Sequence, residues 1–270
     1  MAVMTDRTLR VLADAALECG LEAGAFLLAG RDRVLEVATK STPTDVVTDM
    51  DRASERMLVE RILARFPTDG LLGEEGAERQ GTSGVRWVID PLDGTVNYLY
   101  GLPIWAVSVG VEHNGEAVAG AVVVPVLGES FFAWRGGGAW RLRDGNAAPI
   151  SASQVDSLQS ALIGTGFGYD SAVRTWQGQL AETVLPQVRD IRRAGAAAVD
   201  LCSVAAGSLD GYYESGLQPW DVCAGGLIAT EAGAIVTGLY GAAAGVRDVV
   251  AAGPRLHASL VSLLECHDQR

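Results

Sequence analysis

Apolar side chains at Leu9, Leu12 and Ala16, and again at residues 26–28, recur at helical spacing up to Gly30, so the chain is expected to open with a long amphipathic helix. A second helix is predicted from about residue 50, with Ala53, Met57, Leu58, Ile62 and Phe66 on one face and Pro67 as its stop. The period then falls to two. "AVSVGVEHNGEAVAGAVVVP" alternates apolar with small or polar residues on both sides of Asn114-Gly115, which predicts a tight β-hairpin. "SFFAWRGGGAWRLRDGN" predicts a second hairpin turning at Gly136, Gly137 and Gly138.

The polar, proline-containing stretch "DGNAAPISASQ" at 144–154 interrupts this pattern and is the expected boundary between an N-terminal α+β half, residues 1–150, and a C-terminal α/β half, residues 151–270. Beyond it, short strands in "ALIGTG", "GYYES" and "AIVTG" alternate with helical runs in "VDLCSVAAG" and "DVCAGGLIATEAG". The expected class is therefore α/β (α+β), with sheets covered by helices.

Composition narrows the function. A chain of 270 residues, 49% hydrophobic and 20% charged, suits a globular protein with a sizeable core. No run approaches the roughly 18 apolar residues of a membrane helix, and "MAVMTDRTLR" lacks the basic and apolar blocks of a leader, so a cytoplasmic protein is expected. Cys19, Cys202, Cys223 and Cys266 are scattered without a C-x-x-C pair, which speaks against a zinc cluster or disulfide framework. The net charge is −12 and the one basic tract is "RDIRR" at 189–193, which argues against a nucleic-acid partner. An anionic substrate would need positive charge from another source.

The acids are placed suggestively. In "WVIDPLDGTVNYLYGLP", at 87–103, Asp90 and Asp93 follow an apolar run and precede Gly94-Thr95. "LLGEEG" sets Glu74 and Glu75 after a strand-like run, "KSTPTDVVTDMD" brings Asp45, Asp49 and Asp51 ahead of the second helix, and "LQPWDVCAGG" puts Asp221 at a helix start. Each stretch also has a plainer reading. Asp221 could cap its helix, Thr48 and Asp51 fit a capping box, and Glu74-Glu75 could form a solvated turn. The pair in "DPLDGT" resists it, because one helix start uses one cap. Carboxylates with few histidines suit a hard cation such as magnesium, and the Gly94 and Thr95 amides could hold a phosphate oxygen. There is no G-x-S-x-G elbow and no phosphate-binding G-x-x-x-x-G-K-[ST] loop, and "GTGFGY" at 164–169 reads as a tight turn.

"DPLDGTVNYLYGLP" and "WDVCAGGLIATEAGA" resemble the two signature motifs of the inositol monophosphatase family, and "GEE" at 73–75, "KSTPTDVVTDMD" at 40–51 and "GYYESGLQPWD" at 211–221 match further family segments in the same order. The resemblance, to bacterial members in particular, spans roughly residues 8–265. It implies a layered αβαβα sandwich, a homodimer, and a magnesium-dependent, lithium-sensitive phosphomonoesterase acting on myo-inositol monophosphate. Carried over by position, it makes Glu74, Asp90 and the Leu92 carbonyl ligands of one Mg2+, and Asp90, Asp93 and Asp221 ligands of a second, with a weaker third ion near Glu74. Thr95, supported by Asp51, would orient the attacking water. Asp93 and Asp221 would touch the polyol, Glu214 would accept bonds from its hydroxyls, Gly94 and Thr95 would hold phosphate, and the backbone of Gly195, Ala196 and Ala197 would line the far side. So many acids would repel a phosphate dianion, so metal is expected to bind before substrate. The loop at 41–45 is a candidate flap with Lys40 at its base.

Two departures stand out: Ala196 replaces a family Ser or Thr after Gly195, and Cys223 replaces a small alanine. Alternatives therefore stay open on the same scaffold: histidinol phosphate, a 3′-phosphoadenosine nucleotide or fructose bisphosphate as substrate, or a regulatory protein. Arg189, Arg192 and Arg193 could serve a partner or dimer contact, or compensate the end of a preceding helix.

Overall fold

The computed structural model describes residues 4–31, 37–40 and 46–267. Helix α1 (Asp6–Gly30) begins where the Thr5 hydroxyl accepts the Thr8 amide at 3.3 Å. Strands β1 (Val37–Thr39) and β2 (Val46–Thr48) form a small antiparallel pair. Helix α2 (Asp49–Arg65) starts on the Thr48–Asp51 capping box that the sequence suggested.

Eight strands form the first sheet, in the order β10-β9-β8-β7-β6-β5-β3-β4. They are β3 (Gly70–Gly73), β4 (Glu78–Arg79), β5 (Val85–Asp93), β6 (Ala106–His113), β7 (Glu116–Val124), β8 (Glu129–Trp134), β9 (Ala139–Arg143) and β10 (Asn146–Pro149). Both expected hairpins are present. Asn114 and Gly115 take φ of 54° and 83°, the paired positive values of a type I′ turn. Among the described residues of this sheet only β3 and β5 pair in parallel. A short helix, α3 (Thr95–Leu99), follows β5.

The second sheet has the order β12-β11-β13-β15-β14, from β11 (Leu162–Thr165), β12 (Asp190–Arg192), β13 (Gly211–Glu214), β14 (Ile235–Thr237) and β15 (Val249–Ala252). Its helices are α4 (Ser171–Val184), α5 (Ala197–Ala205), α6 (Pro219–Glu231) and α7 (His257–His267). Helices α4 and α7 were not among the expected elements, although α4 sets Trp176, Leu180 and Val184 against the core at helical spacing.

Three apolar cores separate the layers. One lies between α1, α2 and the outer face of the first sheet, around Leu27, Leu58, Trp87 and Trp105. A second fills the space between that sheet, α5, α6 and the second sheet, around Val122, Leu201 and Ile228. A third lies under α4 and α7. The result is the αβαβα sandwich, and the central core draws on residues from 106 to 251. Among the described residues no helix is long and apolar enough to cross a membrane.

Two local expectations change. Asp90 and Asp93 do not follow a strand; they are its last residues, and the β5–β6 register shifts between them. That irregularity breaks the strict alternation of faces, so both acids can turn toward the same side. Helix α2 buries Asp51, Ser54 and Glu55 as well as Leu58 and Ile62, while Ala53 and Met57 are only partly covered. Its inner face is partly polar because it supports loops: Ser54 donates to the Pro91 carbonyl at 3.0 Å, and Glu55 accepts the Glu75 and Ala77 amides at 2.8 and 3.0 Å.

Candidate active site

The ends of β3, β5 and β13 and the starts of α3, α5 and α6 meet at one cleft of about 410 Å³. Glu74, Asp90, Leu92, Asp93, Gly94, Thr95, Gly195, Ala196, Ala197, Glu214 and Asp221 all line it. Of the residues expected to form a site, only Asp51 is set back, fully buried behind Thr95 and hydrogen-bonded to its hydroxyl at 2.9 Å. Asp49 is exposed at the α2 start, and the 41–45 loop with Asp45 lies outside the described residues.

The plain and chemical readings of the acids turn out to be compatible, because each carboxylate has two oxygens. Asp51 Oδ2 closes the α2 capping box while Oδ1 meets Thr95. Asp221 is not the N-cap of α6 but its third residue; Oδ2 accepts the Gln218 amide at 2.7 Å, which leaves Oδ1 to the cleft. Asp93 accepts the Ala197 and Ala198 amides at 3.2 and 2.8 Å. Helix α5 has no side-chain cap at Ala196, so the carboxylate of Asp93, from the far half of the chain, satisfies the donors that a local hydroxyl would otherwise take. This accounts for the tolerance of alanine at 196. Cys223 is buried against Gly110 of β6, which makes it a packing residue.

Gly94 sits at φ 88° at the α3 start, and a side chain there would meet the Ile104 and Gly195 carbonyls at 3.1 and 3.3 Å. Glycine is required on both counts. Gly166 is required for another reason. Neither it nor Gly168 has a positive φ, and residues 166–170 contain no hydrogen-bonded turn, so "GTGFGY" is not the tight turn expected. A Cβ at Gly166 would land on the Glu214 carboxylate, which lies across that backbone and accepts a hydrogen bond from the Tyr212 hydroxyl. Tyr212 and Glu214 are two apart on β13 and therefore share a face, a signal available in the sequence.

The electrostatics are those of a crowded acid site. Burial raises Asp90 well above the ordinary carboxyl range, and Glu74, Asp93 and Asp221 push it further. Asp93 is pushed up to about 7, by burial first and by Glu74 and Glu214. Asp221 is raised by burial and by Asp93. Behind them Asp200, on α5 and 2% exposed, is pushed up to about 8 by burial and by Glu214 and Asp93, with Arg193 opposing. Among the described residues two cations line the cleft. Lys40 donates to Glu74 at 2.8 Å and Glu75 at 2.5 Å; burial works against its charge, but the two carboxylates outweigh it and hold its pKa above the usual value. Arg193 is the other. In the "RDIRR" tract residues 190–192 form β12, Arg192 pairs with Asp190 at 2.5 Å, and Arg193 lines the cleft.

Among the described residues no three Asp, Glu, His or Cys side chains close on one cation position. Each acid instead has a protein donor: Lys40 for Glu74, the Leu92 amide for Asp90, α5 amides for Asp93 and the Gln218 amide for Asp221. The donor set still fits a hard divalent cation, since it is all oxygen and its charges raise one another's proton affinity for want of a counter-charge.

The sequence profile of the inositol monophosphatase family matches residues 8–269. The chain belongs to this family. An inositol-1-monophosphatase of Mycobacterium leprae is 46% identical over 236 residues, covering 85% of this chain and 81% of its own. The solved structure of Mycobacterium tuberculosis SuhB aligns with a TM-score of 0.83 at 41% identity, over 96% of this chain and 97% of that one. The Nus factor SuhB of Vibrio cholerae is 38% identical over 221 residues, covering 80% and 81%. As an inositol monophosphatase family member the chain is a phosphoric monoester hydrolase, and the family is generally metal-dependent. Lys40, Arg193, Gly166, Tyr212 and Asp200 complete the surroundings of the site, and of these the sequence pointed only to Lys40.

Proposed function

We propose that the chain hydrolyses myo-inositol monophosphate to myo-inositol and phosphate in a magnesium-dependent reaction. The observation that carries this reading is the pairing, in one cleft, of an all-oxygen acid cluster with Glu214, a carboxylate braced by Tyr212 that could accept the hydroxyls of a polyol. Glu74, Asp90 and the Leu92 carbonyl would hold one Mg2+, Asp90, Asp93 and Asp221 a second, and Glu74 would border a weaker third. Bound magnesium supplies Lewis-acid charge for the phosphate and a water of lowered pKa.

The chain's own groups do the positioning. The Thr95 hydroxyl has one proton and two acceptors, Asp51 Oδ1 at 2.9 Å and the Leu92 carbonyl at 3.1 Å, so its lone pairs remain for a water in the cleft. Burial raises Asp51 above the ordinary carboxyl range, which suits it to take a proton through Thr95. The Gly94 and Thr95 amides orient the phosphate. Asp93 and Asp221 reach the alcohol on one side and the backbone of 195–197 on the other. A carboxylate such as Glu214, which pairs with hydroxyls, discriminates against alcohols that lack them.

Initial rates on myo-inositol 1-phosphate, histidinol phosphate, 3′-phosphoadenosine 5′-phosphate and fructose 1,6-bisphosphate test the substrate, and a preference for any of the last three replaces it. We place the protein in the cytoplasm and read it as a homodimer. Tyr100 and Leu102, 75% and 50% exposed beside α3, support the dimer, and light scattering in solution tests it. A regulatory second role draws support from the Nus factor name of the Vibrio relative. An Asp93→Asn variant that loses turnover but retains a regulatory phenotype would separate the two roles.

A further inference from the structure

Strands β11 and β13 are adjacent and parallel, so the loops that leave their carboxyl ends, residues 166–170 and 215–218, emerge side by side and both line the cleft. The backbone ladder stops at the Thr165–Tyr213 pair. Beyond it, a side chain of α4 reaches both loops. Gln177, on α4 and 5% exposed, accepts the Gly168 amide on Oε1 at 2.9 Å and donates from Nε2 to the Ser215 carbonyl at 3.3 Å. Only a carboxamide offers one acceptor and donors on the same short plane. A small cavity of about 10 Å³, about the volume of one water-sized sphere, lies beside Gln177 and Glu214.

We propose that Gln177 is a positioning residue that fixes the spacing of these two loops and thereby the grip of the cleft on the alcohol half of its substrate. The inference rests on reading the cleft as a phosphomonoester site. The 215–218 loop runs directly between Glu214 and Asp221, and the 166–170 loop carries Gly166, over which Glu214 lies, and the cleft-lining Phe167 and Tyr169. Among the described residues Gln177 is not hydrogen-bonded to Gly94 or Thr95, which orient the phosphate, or to Asp90. Loosening the clamp therefore acts on discrimination between alcohols and spares the phosphate chemistry.

The test compares kcat/KM for myo-inositol 1-phosphate with kcat/KM for p-nitrophenyl phosphate, whose leaving group lacks hydroxyls, in the magnesium-loaded full chain. Gln177→Leu, which breaks both bonds, is expected to lower that ratio roughly tenfold through KM for the polyol. Turnover of p-nitrophenyl phosphate should stay within about twofold. Gln177→Glu keeps the acceptor for Gly168 and loses the donor to Ser215, so its loss should be intermediate; it also carries the test if the leucine variant fails to give a cooperative melt. Equal losses on both substrates, or an unchanged ratio in the folded variants, overturn the proposal. If the wild type prefers a different phosphomonoester, the inositol reading fails, and the clamp is judged by the same ratio on the preferred substrate.

Discussion

Thr95 Oγ1 donates a 2.9 Å hydrogen bond to Asp51 Oδ1, while Asp51 Oδ2 accepts the Thr48 amide, also at 2.9 Å, at the first turn of α2. One buried carboxylate thus caps a helix and braces a cleft hydroxyl. Asp51→Asn keeps an acceptor for one of these partners but is a far weaker base. It should lower kcat by roughly 10²–10³. The weakened cap should cost about 1 kcal/mol of stability. Thr95→Ala should lose kcat without the stability cost, and Thr95→Ser should restore most of it; paired rates and thermal melts check this.

Removing divalent cations should abolish turnover, and magnesium should restore it, since the cleft holds Asp90, Asp93 and Asp221 buried together and raising one another's proton affinity. Full activity in excess chelator would sink the mechanism. Asp93→Asn should cost on the order of 10³ in kcat. Because Asp93 also accepts two α5 amides, its melt should fall as well.

Gly166→Ala places a methyl where the Glu214 carboxylate lies, so the acid must leave its place beside Tyr212. KM for the polyol phosphate should rise roughly tenfold, at a stability cost of about 1–3 kcal/mol. Glu214→Gln should give the kinetic effect with a smaller loss of stability. A Gly166→Ala enzyme with unchanged KM would show that Glu214 does not contact the substrate.

Asp93 and Asp200, pushed up to about 7 and about 8 from an ordinary 3.8, make the stability of the metal-free protein fall as pH rises. Between those limits the folded chain binds more protons than the unfolded one, so their contribution is complete below the unfolded value and is lost as pH climbs through the folded values. Each carboxyl contributes a slope of up to about 1.4 kcal/mol per pH unit. Urea midpoints in chelator from pH 5 to pH 8 should decline, more shallowly for Asp200→Asn, and added magnesium should flatten the curve by favouring ionised ligands. Midpoints that rise over this range would show that the cluster is already ionised.

The hairpins at Asn114-Gly115 and Gly136–Gly138 and the capping box of Thr48 and Asp51 were legible because they depend on neighbours within a few residues. The acid-bearing motifs were legible for a different reason: hard-cation chemistry needs carboxylates that no apolar core would otherwise tolerate, so they stand out in an apolar context. What was not legible was the use of α4: besides sending Leu180 and Val184 into the core, it places one polar side chain, Gln177, under two loops.

Residue types and short-range geometry in the sequence thus determined α1, α2 and the two hairpins and singled out the acids that hard-cation chemistry would use. Only the tertiary structure decided that Asp93 caps α5 from the other half of the chain, that Arg193 turns into the cleft, and that Gly166 is kept small by Glu214. Those relationships join residues far apart along the chain, across strand ends and helix starts. Such pairings are set by how layers stack on shared cores, and no local period or spacing records them.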